Sequence, residues 1–377
     1  MTTLWDTTGT AIVNELARQR HTGGAAISGL ALTLIVIADE ANVAEAEEAA
    51  ATAAAQHPCR ILLVVRRQVD APPRLDAEVL VGGRLGPAEA VVMRMYGRLG
   101  LHAESVVVPL LAADVPVVTW WHAPPPEMLA TDALAVLADR RITDCALADD
   151  PLAALWTRAD DYAPGDTDLA WTRSTLWRSI LTSTLDAAAA RSAEPLRLRG
   201  GRIEGDPRNA TAALVAGWLR WRCGCAIDVV SSGRPAGSSG LTAVTLHLDR
   251  DEEIRVSADR PGRAVIVQPG RADTTVPLPE RGLGDLLGEE LRRLDPDEPY
   301  GQALETATGR TGLAGRPRTR QHIWVDPTQP ATRGKGTPGQ HERNRGSGDE
   351  ATTSDPAAAG GGTATDRDPG EPELVRR

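Results

Sequence analysis

The sequence predicts an α/β N-terminal domain of Rossmann-like layers on a mostly parallel sheet, then an α+β domain with an antiparallel sheet, then a disordered C-terminal tail. Three observations predict it. Apolar, β-branched runs alternate with helical stretches through the first half, the pattern of a parallel sheet covered by helices. Short strands separated by turn residues recur between 226 and 278. From 326 onward Gly, Pro, Thr, Asp and Arg leave almost nothing to bury. The expected boundaries are 1–190, 191–325 and 326–377.

In order, "LWDTTGTAIVNELARQR" starts a helix near Asp6, a good N-cap residue. "LTLIVIA" (32–38) and "CRILLVVRR" (59–67) are continuous apolar runs and read as buried strands. The Ala/Glu-rich stretch 40–56 between them is a helix. "LDAEVLV" (75–81) alternates and reads as an outer strand, and 89–97 as another strand. A helix is expected over 102–115, with a kink before Pro109, then a strand at "PVVTWW" (116–121). A helix near 127–137, a strand and turn over 140–149 and a short helix over 151–160 follow. In the second half a linker and first strand precede a helix over 207–223, with Pro207 suited to its first turn. Five short strands and helices near 282–294 and 298–307 complete it.

The chain has 377 residues, 42% of them hydrophobic, so it can bury a normal core. Phe is absent, which leaves 9 Trp to supply most of the aromatic bulk. The net charge of −10 argues against nucleic-acid binding and against an anionic membrane surface, since phosphate contacts need clustered positive charge. The apolar run 27–38 is too short to span a bilayer, and no signal peptide precedes the first helix. A soluble, cytoplasmic protein with reduced thiols is expected. Cys223 and Cys225 form a lone C-x-C without the second pair a zinc site needs, so they read as small buried thiols beside Cys59 and Cys145.

Familiar catalytic patterns are missing: no G-x-x-x-x-G-K-[ST], no H-E-x-x-H and no G-x-S-x-G. "GGRLG" (82–86) lacks the spacing of a dinucleotide fingerprint. His122 follows the strand end "VTWW", where α/β sheets place ligands, but is read as an edge-of-sheet histidine in a Pro-rich loop. His102 and Glu104 are explained by capping at a helix start.

The densest polar signal is "DTDLAWTRSTLWR" (166–178). Asp166 reads as the N-cap of a helix from 167 to about 187, with Asp168 in its first turn. Leu169, Leu176, Trp177, Ile180 and Leu181 form an apolar stripe, and Arg173 lies on it. Trp171, Ser174, Thr175 and Arg178 share a second face. A charge inside an apolar stripe needs a partner. It is either an internal carboxylate, Asp144 or Asp168, or an anionic ligand or partner carboxylate. "RRITD" (140–144) offers the same chemistry through Arg140, Arg141 and Asp144.

"LWDTTGTAIVNELARQR", "HAESVVVPLLAADVPVVTWW", "LADRRITDCA" and "DTDLAWTRSTLWR", in that order over residues 4 to about 180, resemble the OpcA family of glucose-6-phosphate dehydrogenase assembly proteins. "ATAALVAGWLRWR" (210–222) resembles the start of its C-terminal domain. The resemblance implies a non-catalytic assembly factor and allosteric activator. Its partner would be glucose-6-phosphate dehydrogenase, whose active oligomer it promotes at the head of the oxidative pentose phosphate pathway of carbohydrate metabolism. It implies no cofactor.

Two readings of the polar residues follow. As a protein-protein interface, exposed Trp120, Trp121, Trp171, Arg173 and Arg178 would be its anchors; Trp177, on the stripe, reads as core. As a phosphosugar-binding sensor or enzyme, Arg140, Arg141 and Arg173 would converge on a phosphate. The candidate partner- or anion-binding set is therefore Trp120, Trp121, Arg140, Arg141, Asp144, Asp166, Asp168, Trp171, Arg173 and Arg178.

Overall fold

The computed structural model describes residues 1–22, 29–82, 89–192, 194–233, 237 and 239–325. The tail expected to be disordered, and all of "GGRLG" beyond Gly82, lie outside the described residues. Residues 1–325 form one compact unit.

The first sheet has eight strands: β1 (Thr2–Leu4), β2 (Leu32–Ala38), β3 (Cys59–Arg66), β4 (Arg74–Val81), β5 (Glu89–Tyr96), β6 (Val117–Trp121), β7 (Arg140–Thr143) and β8 (Asp166–Asp168). Their order is β1-β4-β5-β3-β2-β6-β7-β8. The six from β5 to β8 pair in parallel, while β4 runs antiparallel to β5 and β1 to β4. β4 is thus covered by the three-residue β1, a correction to its expected place at the outer edge. Helices α1 (Gly9–Thr22), α2 (Val43–Gln56), α3 (Glu104–Val107), α4 (Ala133–Val136), α5 (Pro151–Asp161), α6 (Leu169–Arg173) and α7 (Thr175–Arg191) connect or flank these strands.

β2 is buried along its whole length and divides its side chains between two cores. Leu34 and Val36 pack with α2 on one face; Ile35 and Ile37 pack with α1 and the 103–110 segment on the other. Alternation along β6 sends the adjacent Trp120 and Trp121 to opposite faces by the same rule.

The second sheet holds β9 (Leu198–Gly205), β10 (Ala226–Ser231), β11 (Leu241–Leu248), β12 (Glu253–Arg260), β13 (Gly262–Val267) and β14 (Thr274–Leu278), in the order β10-β9-β11-β12-β13-β14. It is antiparallel except that β10 runs parallel to β9, because α8 (Ala210–Cys223) crosses between them as a strand–helix–strand unit. The sheet packs on α8 and on Trp177 and Leu181 of α7.

The last helices, α9 (Leu283–Leu291) and α10 (Glu298–Thr308), return towards the first half. Leu286, Leu287 and Leu291 of α9 enter the core of the first sheet beside the alanines of α2. The approach is close: a Cβ on Gly284 would stand 2.5 Å from Thr52 Cβ and 3.0 Å from the Ala49 carbonyl. Gly217 of α8 does the same for α10, where a Cβ would lie 2.3 Å from the Ala303 carbonyl.

Several local expectations are corrected. Asp6 does not cap α1: its φ is +45° and its N–H donates to Asp76. Thr8 Oγ accepts from Ala11 instead. The segment 97–110 is a chain of short turns around the four-residue α3, with Pro109 in the last of them, and α4 is likewise four residues, because the turn 129–131 and the extended Asp132 precede it. Pro207 lies ahead of α8, whose N-cap is Asn209. The four cysteines are free thiols; Cys59 and Cys145 are buried, whereas Cys223 and Cys225 are only half-buried. Among the described residues no helix is long and apolar enough to cross a membrane.

Candidate functional site

The site is built where β7 and β8 end. The 166–187 segment is not one helix from Asp166. Residues 166–168 complete the sheet as β8, and Asp168 is the N-cap, accepting from Ala170 at 2.9 Å. Ser174 then separates α6 from α7. The break turns the expected stripe: Leu169, Trp177 and Leu181 are buried, while Leu176 and Ile180 are only half-buried.

Asp168 is fully buried and accepts four bonds, from Thr143 Oγ at 2.6 Å, the Cys145 N–H to both oxygens, and Ala170. Burial first, and the nearby Asp144 second, push its carboxyl above the usual range. Asp144 is gripped by Arg173 in a two-pronged pair, both bonds at 2.6 Å. Of the two internal partners weighed for Arg173, the chain uses Asp144.

Arg140 and Arg141 are adjacent on a strand and so face opposite ways. Arg140 pairs with Glu290 of α9 and donates to the Asp295 carbonyl. Glu290 is held in turn by Thr172. Arg141 pairs with Asp166 and donates to the Ala138 and Pro164 carbonyls. Asp166 also takes Arg320, from the segment after α10. The arginines diverge to separate carboxylates and do not converge on one point.

Trp171 is buried, with its Nε1 donating to Asp297 at 2.9 Å. The Arg178 guanidinium lies 3.6 Å from the centroid of the Trp171 ring and donates to Ser174 Oγ and Thr175 Oγ. Burial lowers the Arg178 pKa to about 10, against the pull of Asp297 and Glu289.

The structure therefore gathers Arg140, Arg141, Asp144, Asp166, Asp168, Trp171, Arg173 and Arg178 into one network around α6. Trp120 and Trp121 lie in the two sheet cores, and neither they nor Trp171 stands on the surface, at 0%, 2% and 1% exposed. With no Phe in the chain, tryptophan fills the space that β6 and α6 leave against the sheet.

Tryptophan does reach the surface elsewhere. Trp5, Trp156, Trp221 and Trp324 are 73%, 51%, 37% and 50% exposed. Trp156, on α5, lines a shallow cavity of about 130 Å³ with Leu152, Ala213, Arg220 and Val229. No sequence pattern separated these tryptophans from the buried ones. For Trp156 the one available signal was helical register: Leu155 and Ala159 carry the buried side of α5.

A second cavity, about 520 Å³, opens beside the Arg173–Asp144 pair at the ends of β2, β6 and β7. His122 lies in its wall, buried, with Nε2 3.1 Å from Glu45.

Two consecutive family models match this chain. The N-terminal domain model of the glucose-6-phosphate dehydrogenase subunit, OpcA type, matches residues 50–160. The C-terminal domain model of the same subunit matches residues 164–304. The chain belongs to the OpcA family of glucose-6-phosphate dehydrogenase assembly proteins. The network around α6 straddles the junction of the two OpcA models, with Arg140, Arg141 and Asp144 before it and Asp166 to Arg178 after it.

No curated protein matches the chain by sequence. Among solved structures, an inositol dehydrogenase homolog from Azotobacter vinelandii complexed with NAD+ is 11% identical, over 56% of this chain and 72% of its own, with a TM-score of 0.30. An oxidoreductase from Sinorhizobium meliloti is 9% identical, over 73% and 86%, with a TM-score of 0.31. Likenesses this slight carry no argument about fold or chemistry.

Proposed function

We propose that this chain binds glucose-6-phosphate dehydrogenase and shifts it towards its active oligomer, raising its activity without chemistry of its own. The observation that carries the reading is the pair of OpcA models matched in order over about two thirds of the chain. An activator of this kind works by differential affinity. It binds one oligomeric form better than another, and the population follows by that difference and no more.

The geometry supports a protein surface as the working part. The arginines that would have held a phosphosugar are each committed to a carboxylate of the same chain, which disfavours that alternative. In this proposal the network around α6 is the frame: it locks the last turn of the first sheet to α9 and α10. Contact is made by exposed aromatic side chains, Trp156 and Trp221 first, since tryptophan anchors carry disproportionate binding energy. A cytoplasmic site of action in the oxidative pentose phosphate pathway belongs to the same proposal.

The test is sedimentation of dilute dehydrogenase with and without the chain, with NADPH formation followed on the same samples. A rise of mass and activity along one saturable curve supports the reading. An unchanged mass with both proteins folded removes it.

A further inference from the structure

The cavity beside the Arg173–Asp144 pair lies at a topological switch point. From the central strand β2 the chain crosses through α2 to β3 on one side, while β6 pairs with β2 on the other. In open α/β sheets, the crevice at the carboxyl ends of two such strands is where ligands bind. At about 520 Å³ the cavity falls within the size range of small-molecule sites.

Its polar lining is unusual for a stretch of helix start. Asp39 is the N-cap of the short turn Glu40–Asn42, and Asn42 is the N-cap of α2. Asp and Asn are favoured at these positions because their side chains satisfy the first free N–H groups. Neither side chain makes its capping bond, and both line the cavity. Glu45, one turn on, also lines it and gives one carboxylate oxygen to His122 Nε2. His122 is 7% exposed, and its Nδ1 has no hydrogen-bond partner. Pro124, Pro125 and Leu147 supply apolar lining.

Charge selects the ligand. Asp144 is neutralised by Arg173, so Asp39 and Glu45 set the sign of the cavity. A phosphate or nucleotide would meet two carboxylates where a dinucleotide fold places its glycine-rich loop. Among the described residues no group of three or more His, Cys, Asp or Glu is placed to hold a metal ion. We infer that this cavity binds a small organic cation, with an amine or guanidinium on Asp39 and Glu45 and an aliphatic stem against Pro124, Pro125 and Leu147.

The test is isothermal titration of the full chain with agmatine, which carries a guanidinium and an ammonium on a short apolar stem. Glucose and glucose 6-phosphate serve as neutral and anionic controls. Saturable one-to-one binding of agmatine is expected. Asp39→Asn should weaken it about three- to fivefold, as expected for one exposed ion pair, and so should added salt. Asp39 makes no cap bond, so Asp39→Asn should melt with the parent; Glu45→Gln provides a second variant with the same expected weakening. The inference is overturned if agmatine gives no saturable heat, if both variants that melt like the parent bind it unchanged, or if glucose or glucose 6-phosphate binds more tightly than agmatine. None of these outcomes depends on the dehydrogenase.

Discussion

Two tryptophan-bearing regions of this chain differ in almost every physical respect. Around α6, Trp171 is sealed between Arg178, Tyr300 and Asp297, and Arg140, Arg141 and Arg173 are each matched to a carboxylate. On α5, Trp156 lies exposed beside a shallow cavity, and on α8 Trp221 is partly exposed. The first region carries two of the segments that resemble the family, "LADRRITDCA" and "DTDLAWTRSTLWR". The second carries exposed tryptophan. In the function proposed above, the motif marks the frame of a binding protein while contact falls to side chains the motif does not contain.

The contrast can be broken most forcefully at the Arg173–Asp144 pair. Removing either partner alone leaves a charge in a nearly closed site, so Arg173→Ala or Asp144→Ala should cost about 3–5 kcal/mol. Urea unfolding of the two single variants and the double variant measures it. The double variant should lose less than the sum of the two. Single losses below about 1 kcal/mol would mean the pair behaves like a surface ion pair.

Next in size is the helix contact behind the network. Gly217→Ala puts a methyl where the Ala303 carbonyl stands, and α10 cannot yield without disturbing Tyr300. A loss of about 1–3 kcal/mol is expected, read as a lower melting temperature. Arg178→Met, which keeps the stem and removes the charge over Trp171, should cost about 1–2 kcal/mol.

Trp156→Ala and Trp221→Ala sharpen the other side. Each residue is exposed, so stability should change by no more than about 0.5 kcal/mol. Their effect belongs to the dehydrogenase titration.

A further test, of direction alone, is the pH dependence from Asp168. Its folded carboxyl titrates above the unfolded value of about 4. The folded state therefore holds the proton more tightly, and this contribution to stability is present at low pH and lost as pH rises through the folded value. Comparing the stability–pH curves of the parent and Asp168→Asn isolates it: the variant should lose that downward slope.

Much of the first sheet was legible because β2, β3 and β6 are buried on both faces and so read as unbroken apolar runs. The parallel β9–β10 pair was missed although its strand–helix–strand order was visible; the short antiparallel strands that follow dominated the reading. The return of α9 into the first core was not legible, since it depends on Gly284 meeting Ala49 and Thr52 across more than two hundred residues. In the site, the need of Arg173 for a partner followed from helical spacing alone. The burial of Trp120, Trp121 and Trp171 did not, because a tryptophan has the same letter inside and outside. Asp39, Asn42 and Glu45 were not legible as cavity lining: such residues are ordinary at a helix start, and only coordinates show that the first two do not cap.

The most direct test of the central claim is one titration into dilute glucose-6-phosphate dehydrogenase, with mass and NADPH formation followed together. It compares the parent chain with the Trp156→Ala/Trp221→Ala double variant. The account predicts that the parent raises mass and activity together, and that the double variant, folded and equally stable, needs at least tenfold more protein for the same rise. A double variant as potent as the parent would contradict the placing of contact on these tryptophans. A parent that leaves both mass and activity unchanged would contradict the assembly function itself.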